Sequence, residues 1–440
     1  MDKNRKTAYF ALMDVESRKA YSNLAVNHHI TNWKPESPAF VRELVYGVLE
    51  NKMYIDYIIE QFIKNDISKM RTNDLTLLRM GIYQLNYMNS VPEYAAVNES
   101  VDMAKRFCKG REGFINGVLR SFIRSGKQLE LPDRASDEVK YLSLKYSYEP
   151  WIVELWLEQY AVDFVEELLA AGNSTPDLVI RVNTLNTTRD DLKKRVSLKG
   201  FEASDGLLCK EALHVKGTGL LGGKLYENGM FSVQDESSML AVNMLDPQPD
   251  ELIIDVCAAP GGKSLAIAEK MKNSGSILAW DIYKRKLSII DKEAERLGIS
   301  IIQTKTWDST RVDSSNAFKA DRVLVDAPCS GLGVVRRKPE IKYKKLTTEI
   351  SELPKKQLAI LSASSKYVKP GGILVYSTCT ISPHENQKVI SEFLKKNPSF
   401  IKEEALQLLP NINNTDGFFI CRMKKKINWS MTEIDQDSEF

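Results

Sequence analysis

Up to about residue 127, apolar residues recur at helical spacing and no stretch alternates like a strand, which predicts an all-helical domain of about five to seven helices. Val41, Leu44, Val45, Val48 and Leu49 form one stripe, and Ile55, Ile58, Ile59, Phe62 and Ile63 the next. Further stripes run through LTLLRMGIYQLNYM, through AAVNESVDMAKRF behind Pro92, and through GFINGVLRSFIR. The helical period continues from 133 to 171, with an amphipathic stretch WIVELWLEQY, and breaks at Gly172 to Pro176. LVIRVNT, the helix-like RDDLKKRVSLKG and the strand-like LHVKG then predict a small β-α-β module.

From Ser232 to about Met423 the pattern changes. Apolar strands LIIDVCA, SILAWDI, IIQTKTW, RVLVDAP and GGILVYSTC alternate with helices such as KRKLSIIDKEAERLG and KKQLAILSASSKYV. Such alternation predicts a parallel sheet with helices on both faces, and a ligand crevice beyond the carboxyl ends of the strands. The ending NWSMTEIDQDSEF is acidic and aperiodic and reads as a loose tail. The expected division is a helical domain at 1–130, a helical linker with a small α+β module at 131–230, an α/β core at 231–426 and the acidic tail at 427–440.

Composition narrows the classes. With 43% hydrophobic and 27% charged residues among 440, the chain is ordinary for a globular protein of more than one domain. No apolar run is long enough to cross a bilayer, and Asp14 and Glu16 interrupt the first stretch, so a cytoplasmic location is expected. Six Cys without a CxxC pair or His cluster indicate reduced thiols and no metal site. The net charge of +3 hides local asymmetry: residues 1–130 hold 19 Lys and Arg against 15 Asp and Glu. Lys105, Arg106, Lys109, Arg111, Arg120, Arg124 and Lys127 crowd a stretch opposed only by Glu112. That run is either a solvated helical face or a phosphate-binding patch.

Strand LIIDV runs into Cys257, Ala258, Ala259, Pro260, Gly261, Gly262, Lys263 and Ser264, and a helix follows. Small residues there let backbone donors and a helix N-terminus approach a ligand. GKS resembles the end of a phosphate loop, but Cys257 stands where that loop needs glycine. Asp281, Asp308 and Asp326 end the next three strands, placing a carboxylate at each edge position. Carboxylates repel triphosphate, yet they suit a ribose and a cationic sulfonium, so S-adenosylmethionine is the expected cofactor.

Cys329 and Cys379 also fall at strand ends, whereas Cys108, Cys209 and Cys421 read as packing residues. Two thiols beside a methyl donor imply covalent chemistry. Cytosine supplies a reason: a thiolate added at carbon 6 makes carbon 5 enamine-like and able to take the methyl group. Asp326 could relieve the electron density that builds at N3, and the second thiol could assist release. With His scarce, thiolate formation would depend on a helix N-terminus, on Lys263 or on the bound cation. Which thiol attacks is left open by the chemistry.

DVCAAPGGKS, DAPCSGLGV with RRKPEIKY behind it, YSTCTISPHEN and DGFFICRM resemble the RNA cytosine-5 methyltransferases of the NOL1/NOP2/Sun type. FVRELVYGVLENK and LRMGIYQLNYM are similar to a NusB-type RNA-binding domain, and RVNTLNTTRDDLKKRV to the family's small RNA-binding module. The resemblance spans all but the tail. It implies a Rossmann-like α/β methyltransferase core preceded by an all-α NusB-like domain and a small α+β module. It further implies that Cys257 to Lys263 hold the cofactor, with Asp281 on the ribose, Asp308 near the adenine and Asp326 between cofactor and base. By the same resemblance Cys379 is the nucleophile and Cys329 assists release, with Thr380 standing where many relatives have Ser. RNA contacts are expected from the basic run above, from Arg181, and from Arg336, Arg337, Lys338, Lys342, Lys344 and Lys345. The expected substrate is 16S rRNA, free or in early assembly, bound by a monomer. A tRNA or 23S rRNA enzyme and a non-catalytic ribosome-assembly factor are the competing functions.

Overall fold

The structure is a computed structural model and describes residues 2–127, 129–217, 219–344 and 348–427. The acidic tail and Lys345 therefore lie outside the described residues. Two compact units emerge among the described residues, one from residues 2–175 with 335–344 and the other from residues 176–334 with 348–427.

In the first unit, helices α1 (Lys3–Arg18), α2 (Ser22–Trp33), α3 (Pro38–Glu50), α4 (Lys52–Glu60), α5 (Thr72–Tyr87), α6 (Glu93–Phe107) and α7 (Glu112–Arg124) meet the predicted helical count. Helices α8 (Glu138–Tyr146), α9 (Pro150–Leu157) and α10 (Val162–Gly172) belong to the same unit. Local chemistry sets their limits. Ser37 caps α3 by accepting from Phe40 N at 3.3 Å, with Pro38 in the first turn. The stripe Val41, Leu44, Val45, Val48 and Leu49 is buried against α1 and α5. Residues 335–344 also join this unit. Lys342 is fully buried, its Nζ donating to Glu50 O at 2.7 Å, Tyr146 O at 3.0 Å and Asn173 Oδ1 at 2.7 Å. Tyr343 OH donates to Leu49 O, and Ser22 Oγ donates to Glu340 Oε2 at 2.6 Å. This corrects the expected RNA contact for Lys342 and Arg336 alone; Lys344 is exposed. Lys342 is a strut inside a helical unit, and Arg336, 9% exposed, is also buried.

The second unit opens with β1 (Leu178–Val182), α11 (Arg189–Leu198), β2 (Glu202–Asp205), β3 (Ala212–Lys216), α12 (Lys224–Glu227) and β4 (Phe231–Val233). Its strands form an antiparallel sheet in the order β2-β3-β1-β4. Then come α13 (Glu236–Leu245), β5 (Leu252–Asp255), α14 (Gly262–Lys270), β6 (Ser276–Asp281), α15 (Lys284–Leu297), β7 (Ile302–Thr306), β8 (Ala320–Asp326), α16 (Thr348–Ser365) and β9 (Val368–Thr378). The unit closes with α17 (Gln387–Lys396), β10 (Phe400–Leu408), α18 (Pro410–Asn413) and β11 (Phe418–Lys425).

These make a seven-stranded sheet in the order β10-β11-β9-β8-β5-β6-β7. Strands β5 to β9 pair in parallel, as predicted, while β10 and β11 add an antiparallel edge that the periodicity did not reveal. Apolar residues on both faces of the sheet explain the near-continuous hydrophobic runs of the parallel strands. Chain order reverses between β5 and β8, and at such a switch point the loops diverge and leave a crevice at the carboxyl ends. Among the described residues no helix is long and apolar enough to cross a membrane.

Candidate active site

The crevice is walled by the loops that leave β5 and β8. After Asp255 the chain turns through a cis peptide before Pro260 and enters α14. Gly261 has φ +111, and a Cβ there would lie 2.9 Å from Ile290 Cγ1, so both backbone and space demand glycine. The first turn of α14 presents unpaired amides to a ligand. Lys263 and Ser264, which a phosphate loop would turn toward triphosphate and metal, are bonded to the sheet instead. Lys263 Nζ lies 2.8 Å from Asp326 Oδ2, and Ser264 Oγ donates to Asp255 Oδ2 at 2.6 Å. Burial raises the Asp255 carboxyl to about 7. It also pushes the Cys257 thiol up, helped by that carboxylate, so Cys257 serves the turn as a neutral side chain.

The remaining carboxylates hold distinct positions. Asp281 ends β6, 9% exposed, with Oδ1 accepting from Tyr283 N at 2.8 Å and Oδ2 unbonded among the described residues. Asp308 follows β7 and accepts from Thr310 N at 3.1 Å and Thr310 Oγ1 at 2.7 Å, bonds that hold its carboxyl below the usual range. The neighbouring Ser309 donates to Val256 O at 2.6 Å and ties this loop to the β5 turn. Asp326 ends β8, with Oδ1 accepting from Ser377 Oγ at 2.8 Å and Oδ2 bound by Lys263. A glycine-dictated turn, a helix N-terminus and an acidic side chain on the next strand fit the amino-acid, sulfonium and ribose portions of S-adenosylmethionine.

Cys329 and Cys379 converge on the same edge, their Sγ atoms 3.3 Å apart. Contact with Cys379, followed by burial, pushes the Cys329 thiol well above its ordinary range. In contrast, Cys108, Cys209 and Cys421 are buried, and burial raises each of them to about 12, as befits packing residues.

Arg181 is not a surface residue. It is 3% exposed, grips Glu269 of α14 through Nε at 2.9 Å and Nη2 at 2.8 Å, and donates from Nη1 to Gly262 O at 2.9 Å and to Gln234. Its expected RNA contact is thereby corrected: the guanidinium braces the start of α14. The basic run of the first unit is different. Lys105, Arg106, Lys109, Arg120 and Arg124 are exposed, while Arg111 is half-buried and paired with the buried Asp74 at 3.2 Å. Arg337 and Lys338 are partly buried, and Lys338 Nζ sits 4.7 Å from the centre of the Tyr21 ring.

Sequence reasoning missed the polar frame behind the thiols. Ser330 Oγ donates to Glu385 Oε1 at 2.6 Å, and Asn386 Oδ1 accepts from Thr378 Oγ1 at 2.6 Å. The only signal was polar residues crowded into the PHEN end of a strand-to-helix turn. Among the described residues, no group of three or more His, Cys, Asp or Glu could hold a metal ion.

A family model described as 16S rRNA methyltransferase RsmB/F matches residues 242–424, one for the NusB family matches residues 2–124, and one for an RsmF/B-like ferredoxin-like domain matches residues 148–219. The probable ribosomal RNA small subunit methyltransferase B of Bacillus subtilis is 39% identical over 96% of this chain and 98% of its own. That of Synechocystis is 33% identical over 96% and 99%. The crystal structure of PH0851 superposes with a TM-score of 0.85 at 25% identity, covering 96% of this chain and 98% of that one.

Proposed function

This chain belongs to the ribosomal RNA small subunit methyltransferase B family, S-adenosylmethionine-dependent enzymes that act on rRNA, and we propose that it methylates carbon 5 of a cytosine in 16S rRNA through a covalent Cys379 adduct. The observation that carries this reading is the 3.3 Å approach of two thiols beside the Lys263–Asp326 pair. A methyltransferase that acts on oxygen or on an exocyclic nitrogen needs no thiol. Carbon 5 of cytosine does, because it becomes nucleophilic only after carbon 6 has been attacked.

In this mechanism the Cys379 thiolate adds to carbon 6, and electron density moves toward N3. The Lys263–Asp326 pair is the proton-sharing group at hand for that nitrogen, with Ser377 holding the second carboxylate oxygen. Cys257 to Lys263 and Asp281, with Asp308 toward the adenine, would hold S-adenosylmethionine, which would supply an electrophilic methyl carbon to the enamine electron pair of carbon 5, its sulfonium leaving as a neutral thioether. Cys329 then accepts the carbon 5 proton, the electrons of that C–H bond form the C5–C6 double bond, and the carbon 6–sulfur pair returns to Cys379. The target base must be unstacked to enter, which favours 16S rRNA that is free or early in assembly. The protein acts in this scheme as a cytoplasmic monomer.

Bisulfite sequencing of rRNA from cells with and without the protein tests the reading. One 16S cytosine should lose protection in its absence and stay unprotected with Cys379→Ala. Protection lost instead from tRNA or 23S rRNA would reassign the substrate, and methylation persisting with Cys379→Ala would remove the proposed nucleophile.

A further inference from the structure

Ser330 and Thr380 each follow one of the two thiols, and their hydroxyls are 2.7 Å apart with both residues buried. Ser330 Oγ donates to Glu385 Oε1 at 2.6 Å, so the proton between the hydroxyls belongs to Thr380. Glu385 Oε2 accepts from Ser330 N at 2.9 Å and from Gln357 Nε2 at 3.0 Å, while the same Nε2 donates to Pro328 O at 2.9 Å. A carboxylate that is 3% exposed thus gathers three donors from the Cys329 turn and α16 and reaches the Cys379 turn through two hydroxyls. The Cys379 turn has further ties of its own. Asn386 Oδ1 accepts from Thr378 Oγ1 at 2.6 Å, Asn386 Nδ2 donates to Thr380 O at 3.0 Å, and Gly333 N donates to Cys379 O at 3.0 Å.

We propose that Glu385, acting through Ser330 and Thr380, is a positioning residue that fixes the two thiols relative to each other and so governs release of the methylated base rather than its capture. The inference rests on the roles given above to Cys379 and Cys329. Addition to carbon 6 needs only Cys379, which Gly333 holds at its carbonyl and Asn386 steadies through Thr378 and Thr380. Release needs both thiols on adjacent carbons of one ring: Cys329 takes the proton from carbon 5 as Cys379 departs from carbon 6 with its electron pair. A slack Cys329 turn leaves capture intact and stalls the departure.

The test uses the full chain with 16S rRNA, labelled S-adenosylmethionine and denaturing gels that resolve the covalent complex. In Ser330→Ala and Thr380→Val, kcat should fall roughly 10- to 100-fold with the KM for S-adenosylmethionine held within about twofold, because misplacement by a fraction of an ångström acts on the chemical step. Methylated RNA should accumulate in the covalent band, and Thr380→Ser, which restores the hydroxyl, should recover turnover. Wild-type turnover in both variants overturns the proposal, and so does loss of kcat without the covalent band or with parallel loss of cofactor affinity. Ser330→Ala alone decides if Thr380→Val does not fold. A covalent band from Cys379→Ala, or none from Cys329→Ala, would refute the thiol roles themselves. Normal bands from those two controls beside unaffected Ser330→Ala refute only the role of Glu385.

Discussion

Cys329 Sγ lies 3.3 Å from Cys379 Sγ, although the two residues are 50 positions apart in the chain. That contact, together with burial, keeps the Cys329 thiol protonated at neutral pH. In the role proposed for Cys329, a protonated thiol cannot take the carbon 5 proton, so the fraction of enzyme competent for release grows as pH rises toward the elevated value. At saturating substrates, log kcat should therefore climb with a slope of about one through pH ~9. A profile that levels by pH ~8, below the range of an ordinary thiol, would assign proton acceptance to another group.

The contrast between what was legible in the chain and what was not has a physical cause. Glycine at 261 is dictated by a positive φ and by Ile290, and such backbone requirements leave a local mark in sequence. The strands carrying Asp281 and Asp326 were readable because burial on both faces writes continuous apolar runs. Arg181 and Lys342 misled because a cation is a surface residue by default, and only tertiary partners such as Glu269 or the Tyr146 carbonyl reveal it as buried. Ser330, Thr380 and Glu385 meet across 50 and 55 residues, a relation that no periodicity encodes. The antiparallel edge was hidden for a related reason: β10 is largely exposed and gives no apolar run.

The Arg181–Glu269 pair is buried at both ends, with side chains 3% and 4% exposed. Removing one partner leaves an uncompensated charge, so Arg181→Ala should destabilise the protein by about 3–5 kcal/mol in urea unfolding. Affinity for S-adenosylmethionine should fall as well, since Gly262 O loses its donor at the start of α14. The salt dependence of RNA binding should not change. A shallower salt slope with unaltered stability would return Arg181 to the RNA surface.

Lys342 makes stability depend on pH with a definite sign. Burial lowers its pKa from 10.5 to about 7, partly opposed by Glu50. Between those values the unfolded chain binds the proton and the folded chain does not, so stability rises with pH across that window, by up to about 1.4 kcal/mol per pH unit. Below about pH 7 both states are protonated and this contribution is flat. The stability of wild type minus that of Lys342→Met, from urea unfolding, should therefore increase from about pH 7 to about pH 10. A constant difference across that range would show that the three acceptors around Nζ keep Lys342 protonated in the folded protein.

Arg120 and Arg124 stand exposed on α7 and, among the described residues, bond only to neutral neighbours, Arg120 Nε to Asn116 Oδ1 at 2.9 Å and Arg124 Nη2 to Ser121 Oγ at 2.8 Å. Neither bond offsets charge, so both guanidiniums keep their full attraction for phosphate. Lys105 differs, being paired with Asp102 at 2.8 Å. If α7 faces RNA, replacing Arg120 and Arg124 together by Ala should reduce the slope of log affinity against log salt by about 1.4 to 1.8, at 0.7 to 0.9 per phosphate contact. Replacing Lys105 should change it less, because Asp102 already offsets its charge. Cofactor affinity should be the same in all three proteins. An unchanged slope in the double variant would make this face of α7 a solvated surface and move the search for the rRNA contact to the second unit.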